Sequence, residues 1–598
     1  MKNFITCLQQ TGYDTIIELS GSYTVFAPHD KAFENFFNNH KQYNSVKDLS
    51  IDKMREIVQY QILRDAWSKE QLTSLDYQGY IDRGNPDYNQ PFGYKRITLY
   101  QDSNRSYPGK GRGIHKKIDP NGTKRFHIFT ESKKYVPLFY DQYFPINDLV
   151  NSDFTFYFDR LFEPGNIYYA GAKIVGDSIP AENGYIYITD RLIEPLPNGE
   201  QILKQGKPSH SYQQFLDFLY SYSDLKPNMT ATNRQAGAEE GLQIDTLYNL
   251  RYPDLPFNFS NELLNVLNPE KNIRIHGGLI APSDDAFNRF SDEYLSHYGS
   301  IGEAPYFVRD IIARAHMMDK PVYQSHIKEG FLNAIGDSIR IDESAIIQRS
   351  YGSNCTFIGL NRDIVPNVFK TVCRPAYLNP NYLNVYVGIA YESDIYQALK
   401  DPHADYAFYI PKDKDVGLNG DSSACIIHPT GSKNYMVRTY TRLGYRVWPT
   451  FPDSWFLNQV GLRNPTGIAR KEFIRTLGGS YIVVNNEQGT VRGTAESTYG
   501  YKGTKVIQLH PEPYPRETIN GQVYHVEGFF SHIFQNERDK QYIDAEISKR
   551  IYFNDLLVQA GLTKFRGKEF FTTYKEENFV NLNASPDRIY GKYEYPFL

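Results

Sequence analysis

The side chains able to do chemistry show no arrangement that would perform catalysis. The 14 His and 4 Cys form no close metal-ligand spacing, and neither a Gly-x-Ser-x-Gly elbow nor a His-Glu-x-x-His helix is present. The 69 Asp and Glu are scattered, so no glycosidase pair stands out by spacing. Glycines beside cations at 109–113 (Gly-Lys-Gly-Arg-Gly) could wrap an anion. A phosphate loop needs a different spacing, and a solvated hairpin tip is the better reading. No catalytic residue, metal or cofactor is assigned. What the composition offers instead is rings: 49 Tyr, 37 Phe and 3 Trp, 15 % of the chain. Such a surplus suits surfaces that bind glycan or peptide by stacking and hydroxyl contacts, and it suits β-rich cores equally well. Trp448 and Trp455, close together on a Pro-broken segment, could form a stacking platform or plug a core, and Tyr140 is a third candidate ligand contact.

The elements that would position such rings are counted out by a repeat. Residues 23–33 read Tyr-Thr-Val-Phe-Ala-Pro-His-Asp-Lys-Ala-Phe. Thr24, Val25 and Phe26 favour a strand, Pro28 cannot donate to a ladder and stops it, and Asp30 can cap the helix begun by Ala32 and Phe33. A copy returns at 278–287, with Pro282 and Asp284, and an eroded one at 406–413, with Asp413. A partner motif lies downstream of each. Asn183-Gly184 and Asn520-Gly521 are hairpin signals followed by an alternating strand, whereas the middle copy has Asn354-Cys355, a cysteine where glycine would make the turn easier.

This pairing resembles the fasciclin domain, an extracellular adhesion and binding module, in that family's two most recognisable boxes. Residues 54–63 and 307–316 look like its central helix, which usually carries a Tyr-His pair. Here Tyr60-Gln61 and Ala315-His316 stand in that place, so the integrin contact ascribed to the pair in animal members is not carried over. The resemblance implies an α+β fold of tandem fasciclin-like domains, each a β-sheet core wedge with leading helices. The domains are expected at 1–198, with a long insertion, at 209–378 and, divergent, at 379–533. Residues 534–598 would be a partial fourth domain or a docking extension. Leading helices are expected at 3–12, 211–220, 394–400 and 551–561. Residues 445–455 stand near the place of the third central helix, and 473–484 read as a helix turning into a buried strand through a Gly-Gly C-cap.

A chain of 598 residues is too long for one core and suits about three to five domains. Its net charge of −4 gives no sign of nucleic-acid binding. Four cysteines in this length rule out a disulfide scaffold, although Cys355 and Cys373 could pair, and Cys7 reads as packed inside the first helix. No apolar run approaches the ~20 residues that span a bilayer. Sequons stand at Asn104, Asn121, Asn228, Asn258, Asn354 and Asn583. The Tyr- and Asn-rich style, the long insertions and the stretch Lys-Tyr-Val-Pro-Leu-Phe at 134–139 resemble the fasciclin-containing surface lipoproteins of Bacteroidota. That resemblance implies an outer-membrane lipoprotein at the cell surface, with an export signal and lipid anchor expected ahead of Met1. It would be a non-catalytic accessory subunit of a SusC/SusD-like TonB-dependent nutrient uptake complex, partnered by that transporter and by glycan or peptide. The alternative is an adhesion or matrix-binding protein acting by weak multivalent contacts.

Overall fold

The computed structural model describes residues 1–73, 95–103, 105–107, 126–130, 133–238, 245–262, 276–382, 398–399, 401–412, 423–427, 433–441, 444–448, 457, 459–479, 481–493, 504–507, 517–527 and 530. They fall into two compact units, one of residues 1–291 with 310–364, the other of 292–309 with the described residues from 365 on. The sequence expectations at Trp455, Asp413, 109–113, 394–397, 551–561 and the whole of 534–598 lie outside the described residues.

Each copy of the repeat is a strand in parallel register with its partner. Tyr23–Pro28 pairs Tyr23 with Gly184 and Pro28 with Thr189. Gly277–Pro282 pairs Gly277 with Cys355 and Pro282 with Leu360. Tyr406–Pro411 pairs Tyr406 with Gly521 and Pro411 with Val526. All three ladders end on the proline, which has no N–H to continue them. Mixed helices and sheets built on this thrice-repeated ladder make the chain an α+β protein of tandem repeats.

Two glycines carry the close approach of these ladders. A Cβ on Gly184 would stand 1.8 Å from the Tyr23 carbonyl oxygen, and one on Gly521 1.9 Å from that of Tyr406. In the middle copy the glycine of that pair stands on the repeat strand, Gly277 opposite Cys355. Gly352, three residues before Cys355, donates its N–H to the Cys355 carbonyl, and a Cβ on Gly352 would meet that same oxygen at 2.8 Å.

The first repeat opens with the helix Lys2–Thr11, which buries Phe4, Cys7 and Leu8 and stops at Gly12 in the left-handed conformation. Its central helix, Ile51–Tyr60, is capped by Ser50 and buries Met54, Ile57 and Val58, the i, i+3, i+4 stripe of an amphipathic helix. The strands Lys95–Gln101 and Lys133–Phe139, expected to lie in an insertion, join the central sheet beside Ile62–Arg64. That sheet curls back on itself where Ile174 bridges Thr189. Another part of the insertion pairs outside the repeat. Phe126–Ile128 runs parallel to Leu247–Arg251 of the second repeat, so the two insertions share one four-stranded sheet.

In the third repeat two expectations are corrected. Residues 444–448 (Gly444–Trp448) form a strand paired with Lys433–Thr441, where the reading had placed the neighbourhood of a central helix. Residues 473–484 are no helix-to-strand turn. Lys471–Arg475 and Tyr481–Asn485 are antiparallel strands. The burial of Glu472 and Ile474 between exposed Lys471 and Phe473 has the period of a strand. Gly461 bridges Thr476 and closes this sheet too, around a core of Ile474, Ile482, Val484, Val491, Tyr409 and Tyr524.

Among the described residues most tyrosines belong to the cores. Among the largest fully buried side chains are Tyr60, Tyr169, Tyr187, Tyr323 and Tyr409. Phe26 stacks on Tyr169 at 4.2 Å and on Tyr187 at 5.4 Å between ring centroids.

Candidate functional site

Equivalent side chains tie the three ladders in the same way. The carbonyl after each central position accepts from the fourth residue of the repeat strand, Gln61 from Phe26, His316 from Ile280 and Gln459 from Tyr409. Their side chains then reach the segment nine residues past the start of the partner strand. Gln61 Nε2 donates to the Ile193 carbonyl at 2.5 Å, His316 Nε2 accepts from Ile364 N at 3.3 Å, and Gln459 Oε1 accepts from Phe530 N at 2.8 Å. The place of the family's Tyr-His pair is thus a buried latch, with Gln61 and His316 closed to solvent. Burial pushes the His316 imidazole down to about 4, against a backbone hydrogen bond to Ile312 that favours its charged form.

The recurrent turn asparagines do a second job. Asn183 Nδ2 donates to the Ile17 carbonyl, Asn354 Nδ2 to those of Asn258 and Asn261, and Asn520 Nδ2 to those of Leu399 and Asp401. Asn354 Oδ1 also accepts from Gly199 N, and Asn520 Oδ1 from Val372 N, each at the chain's entry into that repeat. Asn258 and Asn354 are buried and bonded, so these two sequons are closed to a glycan in the folded chain. The recurrent acids cap a helix other than their own. His29 and Ser283 cap the following helices, while Asp30 accepts from the Lys2 and Asn3 N–H groups and Asp284 from Gln214 N, at the starts of the leading helices. Hydrogen bonds from the Met1 amino group, then Asn3 and Lys2, hold the Asp30 carboxyl down to about 2.

One concentration of charge lies inside the first unit. Lys134 Nζ sits 3.0 Å from Asp102, 3.0 Å from Glu262 and 2.7 Å from Gln201 Oε1, and the Ser353 hydroxyl donates to Glu262 at 2.6 Å. Lys95 and Cys355 are buried near the same Glu262 carboxylate, and His276 is buried beside Lys95 and Cys355. Burial pushes the Lys95 ammonium down to about 7, opposed by the attraction of Glu262. A lysine so shifted is what proton-transfer or Schiff-base chemistry requires. Access is missing: Lys134 and Glu262 are each 1 % exposed, and Asp102, at 18 %, is the most open of the three. The arrangement therefore fastens the first repeat to the second. Sequence reasoning had quoted Lys134 only as part of a resemblance and passed over Lys95, Asp102 and Glu262.

A second fastening runs through rings. Tyr143 and Tyr323 share a hydrogen bond of 2.7 Å, and Phe139 and Tyr157 each stand 5.5 Å from Tyr351. Asp153 accepts from both the N–H and the hydroxyl of Ser325. Both fastenings join first-repeat and second-repeat residues.

Of the candidate ligand contacts, Tyr140 is buried in the first repeat's core, 1 % exposed, beside Val136 and Leu138, and is closed to a ligand from solvent. Trp448 ends a strand and pairs with Val437. The structure does not bring Tyr140 and Trp448 together within one unit. Cys355 and Cys373 are free and buried, as is Cys7, and burial pushes all three thiols up to about 12. Among the described residues no group of three His, Cys, Asp or Glu side chains is placed to hold a metal, and no helix is long and apolar enough to cross a membrane.

No curated protein matches the chain. A solved structure of a FAS1 domain pair from the insect cell adhesion molecule fasciclin I aligns at 12 % identity and a TM-score of 0.20, over 61 % of this chain and 96 % of that one. The family model of the fasciclin domain matches residues 1–86. Residues 1–86 are thus similar to the fasciclin domain, and the repeat strand within that stretch, Tyr23–Pro28, heads the first of the three ladders.

Proposed function

We propose that the chain is a non-catalytic, surface-acting binding protein of the adhesion type, whose repeats present several weak contacts at once. The observation that carries this reading is the fastening of the first two repeats by a sealed charge network and a continuous ring cluster. Two contact faces held at a fixed spacing lose little freedom when the second one engages, so weak sites add in avidity. The fasciclin match at residues 1–86 supports the same class. The test compares the full chain displayed at high and low density on beads against cell surfaces or extracted matrix. Retention should rise by about 100-fold with density, and density-independent retention, or none, sinks the reading.

The finer reading is an outer-membrane lipoprotein serving a SusC/SusD-like uptake complex. It is supported by the sequence style and by the insertions that pair Phe126–Ile128 with Leu247–Arg251 and so enlarge the first unit for docking. Extraction of the native protein under mild detergent, with mass spectrometry of what accompanies it, decides this point. A SusC/SusD-like pair in the eluate supports the uptake complex, and recovery alone leaves adhesion.

A further inference from the structure

The hairpin Lys471–Arg475 and Tyr481–Asn485 has one face in the third repeat's core and one outside it. Strand alternation puts Ile474, Ile482 and Val484 inward and Lys471, Phe473, Arg475 and Tyr481 outward. Phe473 is 62 % exposed and Tyr481 40 %. Phe473 lies opposite Val483, Arg475 opposite Tyr481, and the next strand brings Arg492 opposite Val483 and Thr490 opposite Asn485. The two outward rings are diagonal neighbours, about 7 Å apart, with the nearly buried Val483 as the floor beside them. None of these outward positions is a carboxylate, in a chain whose net charge is −4. Glu472 points the other way. It accepts from Arg463, Thr466 N, Gly467 N and Asn486, and so holds the loop before the hairpin, where Ile468 is 89 % exposed.

We propose that this outer face binds an anionic polysaccharide. Phe473 and Tyr481 stack on successive sugar rings, and Lys471, exposed on the same face, holds a carboxylate or sulfate group. The charge of the face selects an anionic partner, and two exposed rings on the outer face of a sheet favour a sugar chain, whose faces stack without burying a large apolar area. Ion pairing at an exposed face is screened by salt, so binding should weaken as salt rises.

This inference rests on the surface-binding reading, and the experiment separates the two. The full chain is passed over immobilised heparin (sulfated), alginate (carboxylated) and dextran (neutral), in parallel with the bead assay above. Heparin or alginate should retain the wild type and dextran should not. The double variant Phe473→Ala, Tyr481→Ala and the separate variant Lys471→Glu should each weaken retention by about tenfold at unchanged melting temperature. Variants that bind as the wild type does, equal retention on dextran, or no retention on either anionic polymer would overturn the proposal. Chain that binds cells but neither polymer leaves the adhesion reading standing alone, and chain that binds polymer but no cell or matrix leaves the polysaccharide face standing without it.

Discussion

The second repeat and its two neighbours reach the same ladder with different side chains. In the first and third, a glycine, Gly184 or Gly521, starts the partner strand and a glutamine, Gln61 or Gln459, holds the latch. In the second, Cys355 and His316 take those places. The backbone geometry is what the fold requires, and a residue type is required only where no neighbour can take over its duty. In the second repeat the glycine of the pair is Gly277, on the repeat strand opposite Cys355. His316 can serve as a latch because burial keeps it neutral, which makes that repeat sensitive to acid where a glutamine would not.

The largest break is expected at the outer repeats. Gly184→Val places side-chain atoms on the Tyr23 carbonyl and should cost upwards of about 4 kcal/mol, read as loss of the folded baseline in denaturant unfolding. Cys355→Gly should cost only about 1–2 kcal/mol, because it removes packing without forcing the backbone. Equal effects would erase the distinction between the repeats.

Next is the buried charge network. Lys134→Met strips Glu262 of a partner at 3.0 Å within a sealed site and should destabilise the first unit by about 3–5 kcal/mol. Hydrogen exchange should show the loss in both the Lys133–Phe139 strand and the segment around Ser353, which a purely local role for Lys134 would not produce.

The latch gives a pH test with a defined sign. The His316 pKa is lowered on folding, so its contribution is fully present above the ordinary value of 6.5 and is lost as pH falls through about 4. The loss across that window is on the order of 3 kcal/mol. His316→Gln, which copies the neighbours, should flatten the stability–pH curve between pH 6.5 and 4. An unchanged curve would show that the histidine does not titrate with unfolding.

The smallest expected effect is at the caps. Asp284→Ala frees Gln214 N at the start of a leading helix and should cost about 1 kcal/mol, seen as a small fall in melting temperature. Asp30, held down to about 2, keeps its contribution at neutral pH and loses it as pH falls from 3.8 toward 2, below the window of His316.

Much of the ladder was legible because its signals are local. A β-branched run, a proline stop and an Asn-Gly turn each act over a few residues, and the Pro28, Pro282 and Pro411 boundaries came out where those signals stand. The hairpin at 471–485 was misread because a Gly-Gly pair after apolar residues serves a helix C-cap and a strand turn alike. Asp30 and Asp284 were read as caps of the helices that follow them, since a sequence shows which N–H groups are near in the chain but not which helix end is folded against them. The buried charges were hardest to see. Lys95, Lys134 and Glu262 look like surface residues until tertiary structure places them together.

By itself, then, the sequence determined the three strands that head the described ladders and the turns that start their partners, because each depends on backbone preferences within about ten residues. Tertiary structure alone decided that most of the described tyrosines fill cores, that the first two repeats are fastened through Lys134, Glu262, Tyr143 and Tyr323, and that Phe473 and Tyr481 face outward. Those outcomes depend on contacts between residues 128 to 180 positions apart or on strand pairing that closes a sheet, and no local preference records which distant surface a side chain will meet.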